Sequence, residues 1–202
     1  MSKTKQDKRF LVSEAAWRVI TREGLDRTSM RAIAQEMGCT TGVVTHYFRD
    51  KEALLLFALY QVTEQLEGFV RSALDETTGI ERLSSMMTSF LPLDEQREDL
   101  LRIWIAFLGY AVGRPSLMME HQKNAARLRR AILEELVALQ ASGIIRADIE
   151  PEVESNVLLA LGNGISLDAL IQSDRLSVGQ QRQAILRYVD SLRPVGHYHQ
   201  TQ

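Results

Sequence analysis

The sequence has only one cysteine, Cys39, so it can form neither a disulfide within the chain nor a cysteine-rich metal site. It has no apolar run approaching the ~20 residues of a membrane span, and its polar start, Met1–Lys5, lacks the apolar segment of a signal peptide. The motifs of Gly-rich phosphate loops, zinc proteases and serine hydrolases are also missing. These absences argue against a membrane protein and against these enzymes. They predict a cytoplasmic protein with no catalytic site, cofactor or metal.

Charge is distributed unevenly along the chain, although the net charge is only -2. Residues 1–51 carry ten Lys or Arg and six Asp or Glu, whereas the remaining residues carry 14 basic and 20 acidic side chains. A basic end on an acidic body is expected when only that end meets phosphate groups. The distribution therefore predicts a nucleic-acid contact confined to the first quarter of the chain.

Apolar residues recur at helical spacing, and no stretch shows the alternation of a strand. The first clear example runs from Val12 to Ile20, and Gly24 ends it. We therefore predict an all-α fold of about nine helices. After the first, they are a short helix capped by Thr28 or Ser29, a short helix over Thr41–Tyr47, a long helix from Lys51 to about Asp75, and five more near 80–91, 95–112, 116–142, 151–173 and 178–192.

The second and third predicted helices are joined by a turn of about three residues that contains Gly38. A helix-turn-helix needs such a short turn because its two helices cross steeply. In this motif the second helix crosses the DNA backbone, and the third enters the major groove. Thr40 is the predicted cap of the third helix, whose Val44 and the following Phe48 should face the core. The pattern predicts a DNA-binding head at the N-terminal end.

Many residues of this head follow a specific order. They are Thr28-Ser29-Met30-Arg31, Ile33-Ala34, Gly38, Thr40, Gly42, His46-Tyr47-Phe48 and Asp50-Lys51-Glu52-x-Leu54-Leu55. With them, residues 10–55 resemble the DNA-binding segment of the TetR family of transcription regulators. The stretch 41–51 also resembles the BetI-like branch of that family, as does 104–107.

The resemblance implies a homodimer with a helix-turn-helix DNA-binding domain over 1–51 and an effector-binding and dimerisation domain over 52–202. It also implies a repressor that a small-molecule effector releases from palindromic, double-stranded operator DNA. A helical DNA-binding regulator without such an effector, answering to a protein partner or acting architecturally, is the alternative.

Geometry assigns roles within the head. Hydroxyls at the starts of the second and third helices suit phosphates, Gly42 permits close approach to DNA, and Val43 suits a thymine methyl. The resemblance implies that Tyr47 and Lys51 contact phosphates. Relatives commonly carry Lys or Arg near 41 and Tyr near 45, so the two threonines here leave the operator sequence open. The predicted DNA-binding residues are Thr28, Ser29, Arg31, Thr40, Thr41, Gly42, Val43, Thr45, His46, Tyr47 and Lys51.

The last two long helices resemble the pair that forms a four-helix dimer interface in relatives. Gly162 and Gly164 are costly inside a helix, and close approach of two backbones or room for a ligand would explain them. Alternatively, these apolar stripes are buried within the monomer. The predicted interface residues are Val157, Leu161, Gly164, Leu167, Ile171, Ile185, Tyr188 and Leu192.

The middle helices are rich in methionine and aromatic residues, and the resemblance implies an effector pocket among them. The alternative is that these side chains form ordinary core. A cation held by aromatic faces and a flat hydrophobic compound are both consistent with the pattern. The predicted pocket residues are Met86, Phe90, Trp104, Phe107, Tyr110, Met118 and Asn163.

Overall fold

The computed structural model describes residues 3–25, 27–172 and 174–194, and over these ranges it consists of nine α-helices without a strand. The all-α prediction is therefore confirmed. The helices are α1 (Lys3–Glu23), α2 (Met30–Glu36), α3 (Thr41–Tyr47), α4 (Lys51–Asp75), α5 (Gly79–Thr88), α6 (Glu95–Ala111), α7 (Pro115–Ala141), α8 (Pro151–Ile171) and α9 (Val178–Ser191).

Short polar side chains and prolines define where the helices begin. The Ser29 hydroxyl accepts a hydrogen bond from the Ala32 amide at 3.1 Å, and Asp50 Oδ1 accepts one from the Ala53 amide at 2.7 Å. These contacts satisfy amides that have no partner within the helix. Pro115 and Pro151 are the first residues of α7 and α8, where a missing N–H costs nothing.

The turn between α2 and α3 depends on glycine. Gly38 adopts φ +63°, a left-handed conformation that residues with a Cβ rarely adopt. Its amide bonds to the Gln35 carbonyl at 3.1 Å, and the next amide, of Cys39, bonds to the Ala34 carbonyl at 2.9 Å. This pair of bonds is a Schellman motif, which ends α2 sharply. Only four residues, 37–40, therefore separate α3 from α2.

The chain divides into two compact units, one comprising Met1–Gln65 with Asp99–Gln122 and the other Leu66–Glu98 with Lys123–Gln202. This division differs from the predicted domains 1–51 and 52–202, because α4, α6 and α7 each contribute residues to both units. The predicted separation of DNA-binding and effector-binding functions stays a prediction.

Two apolar clusters form the core of the first unit. One joins α1, α2, α3 and the start of α4 around Val12, Ala16, Ile33, Val44 and Phe48. The other joins Ile20 and Leu25 to α4, α6 and α7, and includes the buried residues Phe107 and Leu117. The three-helix head thus has its own core, which continues into the N-terminal part of α4.

The second unit has one large core cluster, which includes Ile185 and Leu192 of the α9 segment. The prediction that these two residues face a dimer partner is wrong, because α9 turns them inward against its own chain, where they are 0% and 3% exposed. Gly162 is explained within this unit, since a Cβ there would lie 3.3 Å from the Met87 side chain.

Across the described ranges, every helix is too short or too polar to span a bilayer. The same residues contain no cluster of three or more His, Cys, Asp or Glu side chains able to hold a metal ion.

Candidate nucleic-acid interface

The α3 helix has two faces of opposite character. Val44 is fully buried and Phe48, directly after the helix, is 1% exposed. The sequence prediction that both residues face the core is consistent with this packing. Tyr47 also packs on the core, but the remaining residues of the helix are exposed, and Val43 is 42% exposed although it is apolar. The exposed residues of α3 are Thr41, Gly42, Val43, Thr45 and His46.

Ion pairs connect α2 to α1 within the head. Glu36 of α2 accepts hydrogen bonds at 2.8 Å from Arg18 Nε and from Arg22 Nη1 of α1. The hydrogen bond from Arg18, followed by that from Arg22, lowers the pKa of Glu36 below its usual 4.5. These ion pairs leave no signal in the sequence, because nothing in the local pattern connects residues separated by 14 and 18 positions.

The two hydroxyls before α2 have different environments. Of the two residues predicted as the possible cap of α2, Ser29 is the cap, and it is exposed. Thr28 is 2% exposed, and its hydroxyl donates to the Gly24 carbonyl at 2.9 Å. A buried hydroxyl used in this way cannot reach a phosphate, so the predicted DNA contact of Thr28 is wrong. Arg31, the second residue of the helix, is exposed.

The hydroxyl group at the start of α3 does not cap the helix. Thr40 is exposed, and its side chain makes no capping hydrogen bond. A Cβ added to Gly42 would meet only the Thr40 hydroxyl oxygen, at 3.7 Å, which is an ordinary contact. Nothing within the described part of the protein therefore requires glycine at position 42.

The residues near the end of α3 and the start of α4 make more contacts within the protein than those at the start of α3. Tyr47 is half-buried and packs on the head core, and the His46 ring meets it edge-on with centroids 4.9 Å apart. The Thr45 hydroxyl donates to the Gly42 carbonyl at 3.2 Å. Lys51, at the start of α4, donates from Nζ to the Leu25 carbonyl at 2.6 Å.

The predicted pocket residues divide between the two units. Trp104, Phe107, Tyr110 and Met118 belong to one apolar cluster of the first unit. Met86 and Phe90 belong to the core cluster of the second unit. Asn163 is exposed on α8, and its place among the pocket residues stays a prediction.

The predicted interface residues of α8 include an exposed apolar stripe. Val157, Leu167 and Ile171 are 38%, 42% and 68% exposed, and Val153, on the same face, is 54% exposed. Leu161 is half-buried, and Gly164 is exposed, with no neighbouring atom within 4 Å of where a Cβ would lie. On α9, Tyr188 is half-buried and donates to Glu154 at 2.6 Å.

Two family models match the chain. Residues 13–57 match the model of bacterial regulatory proteins of the tetR family, and residues 79–194 match the C-terminal model of the BetI-type transcriptional repressor. The first match includes the helix-turn-helix, and the second covers more than half of the chain.

Similar proteins carry the same description. The chain is 26% identical to the HTH-type transcriptional regulator PksA of Bacillus subtilis over 93% of this chain and 90% of that protein. It is 26% identical to the HTH-type transcriptional regulator BetI of Vibrio atlanticus, covering 88% of this chain and 87% of that protein. These relatives are regulators of transcription and not enzymes, in agreement with the prediction.

Solved structures share the fold. A transcriptional regulator from Rhodococcus superposes with a TM-score of 0.81 at 24% identity, covering 91% of this chain and 95% of that one. A regulator from Saccharomonospora viridis, solved in complex with choline, superposes with a TM-score of 0.84 at 22% identity, covering 92% and 96%.

Proposed function

Because the chain belongs to the TetR family of transcriptional regulators, we propose that it is a homodimeric repressor that leaves a palindromic operator when a small-molecule effector binds. The outward face of α3 carries the proposal, since its small and polar side chains are exposed while the opposite side is locked into the head core. A regulator of chromosomal DNA works in the cytoplasm, and we include that location in the proposal.

In this proposal α3 reads base edges in the major groove. Thr45 and His46 supply hydrogen-bonding groups, Val43 suits a thymine methyl, and Gly42 permits close approach of the helix backbone. Around this centre, backbone phosphates are contacted by Ser29, Arg31, Thr40, Thr41 and Tyr47. The ion pairs of Glu36 support this arrangement because they fix α2, whose first turn and cap bear two of these residues, to α1.

The exposed stripe of α8 supports the dimer. A second copy would remove Val153, Val157, Leu167 and Ile171 from water, and fully burying one such side chain stabilises an assembly by ~1.5–3 kcal/mol. Gly164 has open space around it, so two α8 backbones can approach closely there. Twofold symmetry then presents two copies of α3 to half-sites ~34–36 Å apart.

The aromatic cluster of the first unit supports a cationic effector. Trp104 is half-buried, and its ring centroid lies 5.8 Å from that of His121. Burial lowers the pKa of His121 below its usual 6.5, so this ring is neutral at pH 7 and does not repel a cation beside Trp104. The BetI-type match and the structural neighbour solved with choline favour a quaternary ammonium compound over a flat hydrophobic one.

The test begins with selection of bound duplexes from genomic fragments, followed by titration of choline chloride into the protein–operator complex. Fluorescence anisotropy should show release of the DNA. The chain has two tryptophans, so in a Trp17→Phe variant quenching by choline reports on Trp104 alone.

Three results contradict parts of the proposal. Release by a flat aromatic compound but not by choline would replace the effector class. Tight operator binding that no metabolite in a screen reduces would support the regulator without a small-molecule effector. Failure to enrich any duplex would reject the operator itself.

A further inference from the structure

The first turn of α4 is connected to two other parts of the first unit. Lys51 Nζ donates to the Leu25 carbonyl at 2.6 Å, in the turn between α1 and α2. The same ammonium lies over the Tyr110 ring of α6, 5.0 Å from its centroid. One cation therefore contacts both the head and the C-terminal end of α6.

Neighbouring residues add further contacts between α4, α6 and α7. The Arg114 guanidinium lies 3.8 Å from the centroid of the Tyr110 ring and donates to the Tyr110 carbonyl at 2.6 Å. Ser116, in the first turn of α7, donates to Glu52 of α4. The α6–α7 segment thus contacts both residues with which α4 begins. We name Lys51, Tyr110, Arg114 and the Leu25 carbonyl the α4 junction.

The α4 junction lies close to α3 in the chain and can therefore affect how α3 is held. Only residues 48–50 separate the end of α3 from Lys51, so the start of α4 determines where the C-terminal end of α3 is held. A lysine whose ammonium bonds a protein carbonyl and faces an aromatic ring is attracted to both groups. These attractions oppose its transfer to a DNA phosphate.

Resting on the proposed operator binding, we propose that Lys51 and Tyr110 are positioning residues that fix the orientation of α3 for operator binding through the α4 junction. This role differs from the phosphate contact predicted for Lys51 and from the pocket-lining role predicted for Tyr110. Lys51 and Tyr110 would then determine operator affinity although neither of them contacts DNA.

The experiment measures operator affinity against salt concentration for Lys51→Met, Tyr110→Leu, Tyr110→Phe and the double variant Lys51→Met with Tyr110→Leu. We expect Lys51→Met and Tyr110→Leu each to weaken binding by about threefold to tenfold. The slope of log affinity against log salt should be unchanged, because no phosphate contact is lost. The double variant should bind no more weakly than either single variant.

The conservative variant and the control separate positioning from general damage. Tyr110→Phe keeps the ring and should bind like the original protein. Tyr60→Leu replaces a tyrosine that is 55% exposed on α4 and should also leave affinity unchanged. If Tyr110→Leu does not fold, Lys51→Met still tests the junction, because it keeps the alkyl stem of the lysine.

A salt slope shallower by about 0.9 per lost contact in Lys51→Met, with Tyr110→Leu at original affinity, would overturn the inference in favour of a phosphate contact. Additive losses in the double variant would overturn it as well. These results require that the original protein binds the operator, so they are distinct from failure of the proposed function.

Discussion

The outward faces of α3 and α8 differ in what they offer a partner. The α3 face bears a glycine and three hydrogen-bonding side chains around a single exposed apolar residue, Val43. The α8 face bears four exposed aliphatic side chains at positions 153, 157, 167 and 171. Both helices bury their opposite side in a core of their own unit.

This difference indicates two kinds of partner. Hydrogen-bonding groups on a narrow helix suit base edges and phosphates, which would be poorly solvated against an aliphatic surface. An aliphatic stripe suits another protein surface of the same character, and in a symmetric pair the same stripe supplies both sides. We therefore expect substitutions on α8 to change assembly, and substitutions on α3 to change DNA binding without changing assembly.

The largest effect should follow a charge placed in the α8 stripe. We expect Leu167→Asp to raise the dimer dissociation constant by at least about 100-fold, because an unpaired carboxylate would have to be buried. Light scattering should then give the mass of one chain. Val137→Asp alters a residue that is 51% exposed on α7 and serves as the matched control. A dimer of unchanged stability in Leu167→Asp would show that the α8 stripe is not the dimer interface.

The next effect concerns Gly42. We expect Gly42→Ala to lower operator affinity by about tenfold or more, since the new methyl group faces the groove. The folded protein should be stabilised by up to ~1 kcal/mol, because alanine favours a helix over glycine. Operator titration and thermal denaturation measure the two changes.

Gly179 provides the matched control for Gly42. It is the second residue of α9, as Gly42 is of α3, and it also has open space for a Cβ. Gly179→Ala should bind the operator normally. Equal operator affinity in both glycine variants would show that the α3 face does not approach DNA.

A smaller effect should distinguish phosphate contacts from base contacts beside the α3 face. We expect Arg31→Met to weaken binding about threefold to all duplexes and to make the salt slope shallower by about 0.9 per lost contact. Anisotropy titrations at several salt concentrations measure this. Arg130→Met removes another exposed arginine, on α7, and should change neither quantity. An unchanged slope in Arg31→Met would remove Arg31 from the interface.

The smallest effect concerns the ion pairs between α1 and α2. The folded-state pKa of Glu36 lies below its usual 4.5 because of Arg18 and Arg22. The ion pairs of Glu36 therefore stabilise the folded protein fully when the pH is above 4.5. This stabilisation is lost as the pH falls through the lowered pKa that Glu36 has in the folded state. Glu36→Gln should lower the melting temperature at neutral pH, and the difference should vanish in acid.

Glu14, exposed on α1, gives the control Glu14→Gln for this measurement. Thermal denaturation across pH should show little change for it. A melting-temperature difference for Glu36→Gln that persists unchanged into acid would contradict the ion-pair explanation.

Local signals in the sequence predicted much of the fold. Pro115, Pro151 and Asp50 mark helix starts because each acts within its own first turn, and Gly38 marks a turn because its φ is positive. Helical spacing alone predicts that Val44 and Phe48 face the core. These features depend on neighbours a few residues away, which a single sequence displays directly.

Contacts between distant residues could not be predicted in this way. Helical spacing identified an apolar side of α9 but could not tell that Ile185 and Leu192 pack inside the second unit. Thr28 has the chemistry of a cap or a phosphate ligand, and only its burial excludes the latter. The bond from Lys51 to the Leu25 carbonyl joins positions 26 residues apart, so the α4 junction left no local pattern.

The spacing of the two operator half-sites gives the sharpest test of whether a dimer binds the operator. If two copies of α3 are held by pairing through α8, affinity should fall steeply when about five base pairs, half a helical turn, are inserted between the half-sites. Insertion of a full turn, about ten base pairs, should place the half-sites on the same face again but too far apart. Equal affinity for the original duplex and the half-turn insertion would show that pairing through α8 does not hold the two copies of α3 at a fixed spacing.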